Sequence, residues 1–76
     1  MNRHEYTEMQ VDLVQNGELK GFEANDKIVG FTYAEKGYAW DYYRAAQKRF
    51  VEDNLISRGK ANDRLHGFRD YIRLNR

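Results

Sequence analysis

The sequence predicts an α+β domain: a three-stranded antiparallel meander followed by two helices, in the order β-β-β-α-α. Three observations predict it. Glu8-Met9-Gln10-Val11-Asp12-Leu13 alternates polar and apolar side chains, the period of a half-buried strand. Asn16-Gly17 is a strong hairpin signal, and Asn25-Asp26 offers a second turn ahead of Lys27-Ile28-Val29-Gly30-Phe31. Beyond residue 32 the period becomes helical, with Ala39, Tyr43, Ala46 and Phe50 recurring every three or four positions.

The strands are expected at about 8–15, 18–24 and 27–32. Two-residue loops then pair Leu13 with Lys20, Val11 with Phe22, Met9 with Ala24, Phe22 with Val29 and Lys20 with Phe31. One face collects Met9, Val11, Leu13, Phe22, Ala24, Val29 and Phe31, with only Lys20 and Lys27 out of place, while the other carries Glu8, Gln10, Asp12, Glu23 and Thr32, with Val14, Leu19 and Ile28 mixed in. Both turns give the same apolar face, and that agreement supports the meander. The rival reading makes residues 3–15 a helix, with Tyr6, Met9 and Leu13 on one side and Gly17 as its stop.

Thr32-Tyr33-Ala34-Glu35 fits a capping box opening the first helix of the α+β reading. Trp40, Val51 and Leu55 widen its apolar stripe, and Arg58-Gly59 supplies a stop. A last helix starts from an Asn62 cap, with Leu65, Phe68 and Ile72 on one face. The expected core is Val11, Phe22, Val29, Phe31, Tyr43, Phe50, Val51, Leu65 and Phe68.

A chain of 76 residues makes a single domain, residues 1–76. It has no cysteine, which excludes disulfides and thiolate zinc sites. His4 and His66 stand far apart, so no metal and no cofactor is assigned. No apolar run approaches the roughly 20 residues that span a membrane. Met1-Asn2-Arg3-His4-Glu5 leads into no apolar segment, and a cytoplasmic location is expected.

Charge divides along the chain. Residues 1–37 carry four Lys/Arg against seven Asp/Glu, a net −3, and residues 38–76 carry nine against five, a net +4. His66, Arg69, Arg73 and Arg76 follow at steps of three, four and three, so a helix puts them on one stripe. Such a stripe suits carboxylates or phosphates. Tyr38 and Tyr42 belong to an aromatic cluster too large for one helix face to bury, and exposed aromatics with arginine nearby are the composition of a binding hot spot.

For catalysis, Ser57 is the only serine and stands at a helix end, while Gly59-Lys60 lacks the upstream glycine of a phosphate-binding loop. No catalytic residue is assigned, and the chain is read as a non-enzyme. The segment Gly30-Phe31-Thr32…Glu35…Tyr43-Arg44-Ala45-Ala46 resembles part of the plant ethylene-response-factor type of DNA-binding domain, which reads DNA with a basic, aromatic sheet surface. Here Glu8, Asp12 and Glu23 occupy the matching face, so that function is not carried over.

The reading is therefore a small regulatory binding protein that docks on a protein partner, as an inhibitor occluding its site. The partner-binding residues expected are Tyr38, Tyr42, Arg58, Lys60, His66, Arg69, Arg73 and Arg76. Self-association into a homodimer through Tyr38 and Tyr42 is also expected. The alternative function is a nucleic-acid-binding module using the basic C-terminal helix.

Overall fold

The structure, a computed structural model, describes residues 1–76 and contains four helices and no strand. The helices are α1 (Arg3–Gln15), α2 (Gly21–Glu35), α3 (Trp40–Glu52) and α4 (Arg58–Leu74). This overturns the α+β class and the three-stranded meander; the rival helical reading of residues 3–15 is the one that holds.

The reasons are local. Asn2 Oδ1 accepts the Glu5 N–H at 2.9 Å while Glu5 Oε1 accepts the Asn2 N–H at 3.0 Å, a reciprocal cap that opens α1. Asn16-Gly17 ends that helix instead of turning a hairpin. Gly17 sits at φ +75°, and the Glu18 N–H reaches back to the Leu13 carbonyl at 2.9 Å. The same closure recurs where Tyr38 N–H meets Tyr33 O at 3.3 Å and Leu55 N–H meets Phe50 O at 2.8 Å. The Lys20 N–H donates to Glu23 Oε1 at 3.0 Å and opens α2, so Asn25-Asp26 is helical. Thr32 is not a cap; its hydroxyl donates to the Ile28 carbonyl at 2.7 Å inside α2. Arg58-Gly59, expected as a stop, opens α4, where Ser57 Oγ accepts the Lys60 N–H at 3.1 Å; Asn62 lies within that helix.

The α2–α4 pair forms the centre and shares the largest contact surface. Asp26 meets Lys60 and Arg64, Gly30 meets Phe68, and Phe31 meets Tyr71, so these contacts advance together and the two helices run parallel. Their backbones touch. A Cβ on Gly30 would fall 1.8 Å from the Arg64 carbonyl oxygen, and one on Gly67 1.8 Å from that of Lys27. The crossing therefore exists only because both positions lack a side chain.

The flanking helices run antiparallel to their main partners. On α1, Arg3 bonds to Thr32 and Glu35 near the end of α2, and Tyr6 stacks on Phe31 with ring centroids 4.1 Å apart. On α3, Tyr43 stacks on Phe68 of α4 at 4.7 Å and meets Tyr33 of α2 at 5.5 Å. Phe31 and Tyr33 point to nearly opposite sides of α2, so α1 and α3 occupy different flanks of the pair. The backbone is slab-shaped, 34 × 27 × 14 Å, and 12 of 76 residues are buried.

Phe31, Tyr43 and Phe68 are buried as expected, and Val29, Val51 and Leu65 are half-buried. Val11, Phe22 and Phe50 are exposed, because the helical phase turns them away from the centre. Their places are taken by Tyr6 and by three polar residues, Gln10, Asp26 and Gln47.

Candidate anion-binding groove

Four of the expected partner-binding residues come together. His66, Arg69, Arg73 and Arg76 line one groove along the C-terminal half of α4, with Trp40, Asp70 and Ile72. The helix alone aligns the basic side chains. The antiparallel packing of α3 adds Trp40, whose ring lies against Phe68 at 5.7 Å and carries the Arg69 guanidinium 5.8 Å from its centroid. One face of the indole is thus engaged by a cation.

Asp70 organises the other side of the groove. Its Oδ2 accepts the Tyr6 hydroxyl at 2.7 Å, and its Oδ1 accepts from Arg73 Nη2 at 2.9 Å. The carboxylate ties α1 to α4 and aims Arg73 along the groove. Hydrogen bonding to Asp70 raises the Arg73 pKa. Burial, then the bond to Asp70, pushes the Tyr6 hydroxyl well above the ordinary phenol range, so it stays a donor. Ile72 is 44% exposed between the arginines. The groove can hold carboxylates or phosphates on guanidinium forks while covering an apolar group.

The other four expected residues lie elsewhere. Tyr38 stacks on Tyr42 and meets Tyr33 edge-on, on the α2–α3 side. Arg58 lines a separate cleft between α3 and α4 with Arg44 and Lys48. Lys60 faces inward, its Nζ 3.4 Å from the buried Asp26. The same Asp26 oxygen accepts from Arg64 Nε at 3.3 Å, and Arg64 Nη1 donates to Gln47 Oε1 at 3.2 Å. This chain links α2, α4 and α3, and its members escaped the sequence reading because Asn25-Asp26 looked like a turn.

Trp40 and Ile72 were expected as core stripe residues; the structure makes them walls of the groove. Nothing in the sequence pairs Trp40 with Arg69, since that contact depends on how α3 lies on α4. No group of three His, Cys, Asp or Glu side chains is arranged to hold a metal ion. No helix is long and apolar enough to cross a membrane. No protein-family model, curated protein or solved structure matches the chain, so the functional reading rests on its own residues.

Proposed function

We propose that this protein is a non-enzymatic, regulatory binding protein that docks through the α4 groove onto an acidic, partly apolar segment of a protein partner and occludes it. The observation that carries the reading is the composition of the groove: Arg69, Arg73 and Arg76 alternate with exposed Ile72 and half-buried Trp40. Guanidinium forks suit carboxylates, and the apolar floor suits the hydrophobic side chains between them.

A nucleic acid suits the groove less well. A stacking platform needs a free ring face, and Arg69 occupies one face of Trp40. The basic stripe from His66 to Arg76 covers only about 15 Å of helix axis, and the net charge of the whole chain is +1. A cytoplasmic location goes with this reading, since a cysteine-free fold is indifferent to reducing conditions.

The test is a pair of charge reversals measured by calorimetric titration with a short Asp/Glu-rich peptide containing leucine, beside a single-stranded oligonucleotide of equal charge. The wild type is expected to bind the peptide more tightly, with affinity falling as salt rises. Arg69→Glu with Arg73→Glu should weaken peptide binding at least tenfold, while Glu8→Lys with Asp12→Lys on α1 should not weaken it. Tighter binding of the oligonucleotide would move the protein to the nucleic-acid class, and equal loss in both variant pairs would remove the groove from the account.

A further inference from the structure

We propose that the aromatic face formed by α2 and α3 is a two-fold interface between two copies of this chain. The face is independent of the α4 groove. On α2, Phe22, Val29 and Tyr33 share one stripe at spacings of seven and four. On α3, Tyr42, Ala46 and Phe50 share another at spacings of four. The two stripes approach where Tyr33 of α2 lies 5.5 Å from Tyr43 of α3. Tyr33, Tyr38 and Tyr42 form a ladder at one end, with centroids 5.2 and 6.1 Å apart. Phe22, at the start of α2, and Phe50 and Leu55, at and beyond the end of α3, are the other exposed large apolar side chains of the two segments.

Exposure is high where a monomer would bury such groups: 65% for Phe22, 67% for Tyr42 and 68% for Leu55. Together with Tyr33, Tyr38 and Phe50, these side chains leave roughly 700 Å² of surface uncovered, close to the ~800 Å² each partner contributes to a standard interface. The whole molecule also exposes more than its size requires, 5331 Å² against about 4,900 Å² expected for a chain of this mass.

Charge selects a second copy as the occupant. A two-fold contact sets each patch against itself. The α4 groove would then oppose arginine to arginine, which like-charge repulsion forbids. The aromatic face carries no such conflict. Its Arg49 is paired with Asp53 at 3.7 Å, and Lys20 and Lys36 lie back over the Phe22 and Tyr33 rings at its rim.

The experiment is sedimentation equilibrium from micromolar to millimolar chain, with thermal melts over the same range. The wild type should reach the mass of two chains and stop there, and its melting temperature should rise with concentration. Phe22→Glu with Tyr42→Glu should raise the dimer dissociation constant at least tenfold while the helical circular dichroism is kept. Should that double variant lose helix, Tyr42→Ser alone serves, with the same direction expected. Val11→Glu on α1, and separately Arg69→Glu with Arg73→Glu, should leave the dimer intact, so failure of the groove and failure of this interface are told apart. A single-chain mass at millimolar concentration, a mass that keeps growing past two chains, or equal dissociation by the Val11 variant would each overturn the proposal.

Discussion

Tyr6 and Tyr43 are both buried, yet only Tyr6 has a partner for its hydroxyl, the carboxylate of Asp70. Their phenylalanine variants should therefore differ. Tyr6→Phe removes a charge-assisted bond and should destabilise by about 1.5–3 kcal/mol. Tyr43→Phe removes an unpartnered buried hydroxyl and should be neutral or stabilising, by up to ~1 kcal/mol. Chemical denaturation of the two variants checks the contrast. Alkaline pH reads the same residues. Burial pushes the Tyr43 hydroxyl up to about 12 from an ordinary value of 10.0, and Tyr6 moves in the same direction. A raised folded-state value means the folded protein holds its proton more tightly than the unfolded chain. The stabilisation is complete below pH 10 and declines as pH rises toward the folded-state value. Stability measured from pH 8 upward should be flat at first and then fall, with a shallower fall in Tyr43→Phe. At Gly67 the expectation is harsher. The added methyl of Gly67→Ala meets a carbonyl oxygen that can move only with α2, so the loss should reach or exceed the ~3 kcal/mol upper range of overpacking.

Helical elements show what was legible in the chain and what was not. The helical periods of α3 and of the centre of α4 could be read directly, because Tyr43, Ala46, Leu65 and Phe68 repeat at the right spacing, although Phe50 on the same period lies exposed. The first helix was legible only as the rival reading of residues 3–15 and the second was not, because polar side chains occupy inward positions. Gln10 and Asp26 are buried where a helical pattern would show an apolar residue, so the alternation of Met9, Val11 and Leu13 looked like a strand. Asn-Gly signals both a hairpin and a helix stop, and at Asn16-Gly17 it is the stop. The buried carboxylate that misled the reading holds α2 to α4. Asp26→Ala strands the Arg64 and Lys60 charges and should cost about 3 kcal/mol. Lys60→Ala removes a half-exposed partner while Arg64 remains, and should cost less than about 1 kcal/mol. Thermal melts of the two variants test this, and equal losses would mean that Lys60, rather than Arg64, balances Asp26.

At the scale of the whole molecule, the arginine stripe was legible because one helix sets its geometry. Its apolar floor was not, because Trp40 reaches it only through the packing of α3 on α4. The thin slab leaves two exposed surfaces, an arginine-lined groove on α4 and aromatic side chains on α2 and α3 with Lys20 and Lys36 over their outer rings. Division of charge between the chain's halves becomes a division between helices. The carboxylates Glu8 and Asp12 lie exposed on α1, and the arginines line α4. Salt should weaken docking in the groove, where charge steers the encounter, and leave the aromatic contact nearly unchanged. Docking in the groove is measured most directly by two-dimensional NMR of the labelled protein titrated with the Asp/Glu-rich, leucine-containing peptide. Saturable shifts are expected at the Trp40 indole N–H and at the backbone amides of Arg69, Ile72, Arg73 and Arg76, with residues of α2 quiet. Shifts centred on Phe22, Tyr33 and Tyr42, or no shifts at millimolar peptide, would contradict docking in the groove.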